Sequence, residues 1–279
     1  MGILAKRRAL GFGACALASS LWGCGFFFGK IALAEMGVAH MVLYRFLFAM
    51  VPLAPLLVTH RPRLNMREWG VLGMAAFLGV PVQFLLQFYG LSLTTVSHAS
   101  LMVGTMPVIL AVGATLFAHE RMDAVGWVAL VGSTCGAALI ALFWILMNKQ
   151  LMERHSAVVV TAYGLLLGTL MLMVWVPVRY GMPPVAGVSL KAWLALAASG
   201  VLCTATTTLL WNWGLTQVPA SQAGVLLNME PLIGSLLGVF ALGERLGPKA
   251  WVGGGLILAA AVTLTTRSKT RVREQMPVT

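Results

Sequence analysis

The sequence predicts an all-α fold: a polytopic membrane helix bundle built as two inverted repeats of about five helices each. Three observations predict it. The chain has 279 residues, of which 59% are hydrophobic and only 10% charged, whereas a soluble domain carries about 25% charged residues. Its apolar residues gather into runs long enough to cross a bilayer. The chain also repeats itself, with tryptophan, proline and Glu-Arg positions returning in one register.

Mean hydropathy is +0.89, so too few polar side chains remain to coat a soluble globule, and lipid must solvate much of the surface. The net charge of +11 comes from short basic clusters between apolar runs. That is the pattern of cytoplasmic membrane-flanking charge, not of a nucleic-acid-binding stripe. Cys15, Cys24, Cys135 and Cys203 all lie in apolar runs, without CxxC or Cys/His ligand spacing. No disulfide, metal or cofactor is expected from them. Lys6-Arg7-Arg8 ahead of Ala16–Ala18 imitates a signal peptide, but the apolar run continues to Phe28, so a retained first helix is expected.

A crossing needs roughly 20 apolar residues. The first such run is Ala9–Gly29, behind the basic cluster. The second, Ala39–Thr59, ends in the His60-Arg61-Pro62-Arg63 loop. Trp69–Leu91 is the third, Ala99–Ala118 the fourth, and Ala124–Met147 the fifth. Ala157–Val178 follows, closed by the loop Arg179–Ser189 with Pro183-Pro184. Ala192–Trp213, Ala223–Leu242 and Ala250–Thr266 complete nine segments, and a basic tail with Arg267, Lys269, Arg271 and Arg273 comes last. Short connections make neighbours antiparallel.

An offset of 124 residues, the separation of Trp69 from Trp193, also aligns Gly90-Leu91 with Gly214-Leu215 and Pro107 with Pro231. It pairs Glu120-Arg121 with Glu244-Arg245 and Trp127 with Trp251, without a gap. Upstream, an offset of 118 pairs Ala39 with Ala157, Arg45 with Tyr163, Lys30 with Asn148 and Glu35 with Glu153. The repeats are then 1–143 and 128–279, overlapping at a shared helix, 124–147. Five helices plus five would need roughly twenty more residues near Leu142–Trp144. Lys6-Arg7-Arg8 and the Arg61/Arg63/Arg67 loop agree on a cytoplasmic N-terminus. Nine full crossings would put the basic tail outside, against the same rule, unless the shared segment turns back within the membrane.

Leu21-Trp22-Gly23 and Phe28-Gly29-Lys30 close the first helix, and Tyr44-Arg45-Phe46 opens the second. Met106-Pro107 with His119-Glu120-Arg121 returns as Glu230-Pro231 with Gly243-Glu244-Arg245. In order and duplication these motifs resemble the drug/metabolite transporter superfamily, in particular its EamA-type members, over nearly the whole chain. The resemblance implies ten helices in two inverted repeats, cytoplasmic termini, a cell inner membrane location, and export of amino acids or related metabolites. The shared fifth and sixth helix departs from that pattern.

An ionisable group inside a membrane costs about 2.5–3.5 kcal/mol on insertion scales. Glu230, six to seven residues into its helix and just before Pro231, is therefore a candidate proton or substrate-ammonium site. The alternative is a protonated structural acid bonded to a carbonyl freed by the proline. Gln83 and Gln87 share one helix face, and the repeat maps them onto Thr207 and Trp211, so both halves offer a polar or aromatic face to a common cavity. Tyr89, Asn212 and Trp213 lie near the ends of the same helices, as cavity lining or as an interfacial belt. His98, whose repeat mate is Gln222, begins the fourth helix and suits a proton-coupled step. Trp22, with Tyr163 as the mate of Arg45, completes the candidate substrate-binding set. Arg45 and Lys30 are expected to snorkel to the headgroups, Arg45 beside Glu35.

Glu120-Arg121 and Glu244-Arg245 are expected to fix loops. The small-xxx-small pairs Gly25/Gly29, Gly132/Gly136, Gly164/Gly168 and Gly234/Gly238 suit close internal packing, or a homodimer face. A small-molecule substrate, the bilayer and a coupling proton are the expected partners. A membrane-embedded enzyme would need a convergent acid/base or metal constellation that the sequence does not display. A non-transporting relic is the reading that the missing helix motivates.

Overall fold

A computed structural model of the chain describes residues 2–97, 99–100, 143–218, 223, 226–227, 229–245 and 247, and all regular structure among them is helical. α1 (Gly2–Leu33) and α2 (Val38–Thr59) are followed by α3 (Met66–Phe77), which runs through a π-helical turn, Leu78–Val82, into α4 (Gln83–Ser92). α5 covers 143–152. α6 (Ala157–Tyr180) and α7 (Leu190–Gly200) come next, and a second π-helical turn, Val201–Thr206, leads into α8 (Thr207–Gln217). The last is α9 (Met229–Leu242). Lys6–Leu33, Val38–Thr59, Met66–Ser92, Ala157–Tyr180 and Leu190–Gln217 are each long and apolar enough to cross a membrane. The expected span Ala250–Thr266 and most of Ala99–Ala118 and Ala124–Met147 lie outside the described residues, as do Glu120-Arg121 and Gly132/Gly136.

The bundle is dressed for lipid. Val51, Val58, Val174 and Phe240 are 66%, 75%, 69% and 77% exposed, while Arg45, Thr161, Thr204, Thr207, Asn212 and Ser235 are buried. Polar groups turn inward because hydrocarbon offers them no hydrogen bonds. Phe26, Phe46, Leu53, Phe88, Leu91, Leu172 and Leu196 belong to one core that joins helices of both halves.

The repeat is visible in the backbone. Met66–Ser92 and Leu190–Gln217 are rods with a π-helical turn at the same register, and both start on a side-chain cap, Asn65 and Ser189. The two turns reach that geometry differently. Pro81 sits in the first, where its missing N–H and its ring displace the regular bond. In the second, the Thr204 and Thr206 hydroxyls donate to the carbonyls of Ser199 and Val201 at 3.0 and 2.9 Å.

For the upstream helices the register is 119, not 118. α2 starts one residue after Gly37 and α6 one residue after Ser156. Tyr44 meets Trp193 edge-on at 4.8 Å, and Tyr163 meets Trp69 in the same way at 6.1 Å, both at 80°. Tyr163 is thus the counterpart of Tyr44, and Arg45 is matched by Gly164. In this register α5 corresponds to the end of α1, from residue 24 to Leu33.

Polar contacts between the helices sort into two ends. At one end the Glu35 carboxylate accepts from the Ser189 N–H and hydroxyl, both at 2.6 Å. Glu244 accepts there from the N–H groups of Val96 and Ser97, both at 2.8 Å, and Lys30 donates to the Leu91 and Thr94 carbonyls. At the other end, His155 and Arg154 lie 3.2 and 3.7 Å from Glu68, beside the Asn65 cap. Residues 154–155 therefore share a face with the start of α3, opposite Ser97. This differs from nine simple crossings, which would put Arg154 on the Ser97 face.

Glycines set the close approaches. A Cβ on Gly29 would lie 2.2 Å from Phe88, one on Gly168 2.5 Å from Val80, and one on Gly238 2.2 Å from the Ser97 hydroxyl. These members of the small-xxx-small pairs face internal neighbours.

Candidate functional site

Arg45 lies in the second turn of α2 and is 2% exposed. It does not snorkel, and Glu35 is not its partner. A π-helical turn leaves carbonyls outside the regular ladder, and Arg45 uses this: Nη2 donates to the Cys203 carbonyl at 2.9 Å and Nε to the Thr204 hydroxyl at 2.6 Å. The guanidinium also lies over the Phe84 and Phe88 rings, 4.8 and 5.0 Å from their centroids. A planar, weakly hydrated cation suits that stacking as an ammonium would not. Gly25 of α1 lets the guanidinium pack closely on the helix backbone, since a Cβ there would stand only 3.2 and 3.3 Å from Nη2 and Nη1.

Glu230 is in the first turn of α9, not in the middle of a helix reaching back to Ala223. The Pro231 ring conflicts with the carbonyl four residues back, that of Leu227. Leu227 forms a turn instead, its carbonyl accepting from the Glu230 N–H at 3.0 Å, and α9 starts afresh at Met229. A carboxylate at the N-terminus of such a half-helix is favoured by the helix dipole. α9 packs closely on α1, where a Cβ on Gly23 would lie 2.5 Å from the Glu230 carbonyl. The Glu230 side chain sits deep among the helices, facing the Gln87 amide and the Arg45 charge, yet keeps part of its surface accessible. No Arg45–Glu230 nitrogen–oxygen distance is as short as 4.0 Å. Both residues pack on α1 as near neighbours without forming an ion pair.

Next along α1, Trp22 meets Trp211 of α8 at 5.3 Å and Trp144 of α5 at 6.3 Å. Trp211 is fully buried, and its indole N–H has no protein partner among the described residues; neither does Asn212 Oδ1. The Asn212 amide donates to Thr161 at 2.8 Å, and the Thr207 hydroxyl to the Thr204 carbonyl at 3.0 Å.

The expected residues therefore divide. Trp22, Gln87, Thr207, Trp211, Asn212 and Glu230 converge on the interior, and Gln83 is half-buried one turn before Gln87. Tyr89 is 61% exposed and Trp213 40% exposed, so both face outward. Tyr163 is tied by its hydroxyl to the Leu57 carbonyl at 2.9 Å and belongs to the helix packing. His98 and Gln222 lie outside the described residues. Sequence reasoning missed Trp144, Phe84, Phe88 and Cys203 and undervalued Arg45. The available signal was an arginine inside an apolar run, opposite a glycine of α1.

Around the site the loop carboxylates act as clamps. The Ser189 hydroxyl and N–H, with the nearby Lys191 charge, hold the Glu35 carboxyl below the usual carboxylate range. Partial burial pushes Glu244 up, but the Ser97 hydroxyl and N–H, the Val96 N–H and the Lys30 charge outweigh it, and its carboxyl also ends lowered. Gly243, at φ 67, turns the chain so that the Glu244 N–H reaches back to the Gly238 carbonyl at 3.0 Å. The Glu244 half of the expected loop-fixing pair thus caps the helical turn beginning at Val96.

The EamA-like transporter family matches the chain twice, at residues 9–142 and 134–266. An "Uncharacterized transporter" of Archaeoglobus fulgidus is 26% identical, covering 90% of this chain and 95% of its own length. The "Probable terminal-alkyne amino-acid exporter" of Streptantibioticus cattleyicolor is also 26% identical, over 91% of this chain and 92% of that protein. The "Threonine/homoserine exporter RhtA" of Escherichia coli is 30% identical over 60% of this chain and 57% of its own. A solved crystal structure, 17% identical, matches the fold with a TM-score of 0.66 over 96% of this chain and 99% of that one.

Proposed function

This chain belongs to the EamA-like transporter family, and from that premise we propose that it is a secondary transporter exporting amino acids or related small metabolites by alternating access. The observation that carries the reading is a buried junction of the two halves. Arg45 of the first repeat bonds the Cys203 carbonyl and Thr204 hydroxyl of the second, and the start of α9 at Glu230 packs beside it on α1, at Gly23 next to Gly25. On the same α1, Trp22 meets Trp144 and Trp211, so three tryptophans from three different helices cluster in the interior. A site made from both halves is what alternating access requires, since rocking one half against the other then opens it to either side in turn. Two relatives carry amino-acid exporter in their names, which supports the solute class. Glu230 is the group that would carry a coupling proton.

The protein is multi-pass, and we place it in a cell inner membrane with the N-terminus cytoplasmic, as the Lys6-Arg7-Arg8 cluster favours. The two family matches share residues 134–142, which supports a segment at 124–147 that serves both repeats. The placement of Arg154 and His155 beside Glu68 supports a turn of that segment within the membrane.

Reconstitution into proteoliposomes loaded with an amino-acid mixture tests the reading. Saturable release of at least one amino acid is expected. Well-folded protein that releases none would favour a non-transporting relic.

A further inference from the structure

We propose that the groove between α1 and α7 seats one phospholipid of net negative charge, with an acyl chain between the two helices and the headgroup phosphate on Lys191.

The groove has a volume of about 540 Å³ and runs between one stripe of each helix. Lys191, Leu194, Ala195 and Ala198 stand at i, i+3, i+4 and i+7 on one face of α7, and Phe28 and Ile31 at i and i+3 on α1. The small side chains of Ala195 and Ala198 leave the space that larger ones would fill. Seven residues of helix rise about 10 Å, a large part of one leaflet's ~15 Å of hydrocarbon. Lys191 is the one polar residue among those lining the groove. A trough of that length and lining suits an extended acyl chain.

The trough begins at headgroup level. α7 starts behind its Ser189 cap, across a short loop from the end of α6 at Arg179 and Tyr180. Trp175 and Tyr180 meet edge-on there at 5.4 Å, both exposed, as residues of an interfacial belt are. Lys191 is exposed, and among the described residues no carboxylate lies within 4.0 Å of its ammonium. Glu35 is nearby, but both of its oxygens already accept from Ser189. A cation at the rim of an apolar trough matches a lipid end to end, ammonium on phosphate and helix stripes on hydrocarbon. One lysine near the surface favours an anionic headgroup over a neutral one about fivefold.

A second copy of the chain fits less well. Seven residues line the groove, whereas a stable protein interface uses about 20–30 residues a side. Because α1 belongs to the first repeat and α7 to the second, the seated lipid lies on the seam between the halves.

Site-specific photo-crosslinking tests this. The full-length protein, with a benzophenone amino acid in place of Leu194, is placed in nanodiscs of equal phosphatidylglycerol and phosphatidylcholine, and the adducts are weighed by mass spectrometry. The same amino acid in place of Val51, exposed on α2, is the reference. At Leu194 the ratio of phosphatidylglycerol to phosphatidylcholine adducts is expected to be at least threefold that at Val51. Lys191→Gln should return it to the Val51 ratio, and Lys191→Arg should keep the enrichment. Ala198→Phe, which fills the trough, should lower the lipid adduct yield at Leu194 at least threefold and leave the yield at Val51 unchanged. Equal ratios at the two positions overturn the proposal, as do enrichment that survives Lys191→Gln and a yield that Ala198→Phe leaves unchanged. An adduct to a second copy of the chain in place of lipid also overturns it and assigns the groove to a dimer. None of these outcomes depends on flux, so the transporter reading stands or falls separately.

Discussion

The Cys203 carbonyl accepts a 2.9 Å hydrogen bond from Nη2 of Arg45, and this bond ties α2 of the first repeat to the π-helical turn of the second. The carbonyl is offered by the turn and the cation is oriented by it. The same turn supplies the Thr204 hydroxyl to Nε at 2.6 Å.

Arg45→Lys should therefore fail as a conservative change. An ammonium cannot serve both acceptors in the geometry of a fork, nor stack on Phe84 and Phe88 as a plane does. Thermal unfolding in detergent should show a loss of about 3 kcal/mol, the scale of a broken buried charge network. Thr204→Ala, which removes one acceptor, should cost about 1–2 kcal/mol. A lysine variant as stable as the parent would contradict this account of the turn.

Gly29→Val tests the approach of α1 to α4. A Cβ there would stand 2.2 Å from a Phe88 ring carbon, and Phe88 is both core and platform for Arg45. The ring must move, so destabilisation of about 1–3 kcal/mol is expected. Gly13→Val, at a position with nothing near its Cβ, is the control and should stay within about 0.5 kcal/mol of the parent.

The Glu244 clamp should show a pH signature. Its carboxyl is lowered in the folded protein, so its stabilisation is present above the ordinary carboxylate value of about 4.3. It is lost as pH falls through the lowered folded value. Glu244→Gln should cost about 1 kcal/mol at neutral pH, allowing for solvent screening. The difference between parent and variant should disappear in acid. A difference unchanged from neutral to strongly acidic pH would refute the clamp.

Topology gives a fourth expectation. Glu244 lies at the end shared by Glu35, Ser189 and Ser97, opposite the Glu68 end. Ala250–Thr266 is apolar enough for one more crossing, so the C-terminal tail should lie on the same side as the N-terminus. Reporter fusions after residue 279 should report the cytoplasm. An external signal would restore nine crossings.

Much of the frame was legible in the sequence because rare residues mark it. Trp69 and Trp193 fix the offset of 124, and the two rods with their π-helical turns follow it. Upstream no tryptophan pair fixes the register, and an offset of 118 pairs Ala39 with Ala157 and Arg45 with Tyr163. Only the edge-on contacts with Trp69 and Trp193 show that Tyr44 and Tyr163 are the true counterparts. The burial of Arg45 is not legible in the sequence, because a snorkelling and a buried arginine look alike there. Its burial depends on acceptors in the second turn, where no proline announces the distortion as Pro81 does in the first. Glu230 was recognised, but its place at the start of a half-helix needed the carbonyl of Leu227 to be seen in a turn. Tyr89 points outward because exposure depends on rotation about the helix axis, which neighbouring helices fix.

The most direct test of a shared interior site is the initial rate of amino-acid release from proteoliposomes by the parent protein and by Glu230→Gln, at matched amounts of folded protein. The account predicts saturable release by the parent and at least a tenfold lower rate in the variant. Equal rates would contradict it.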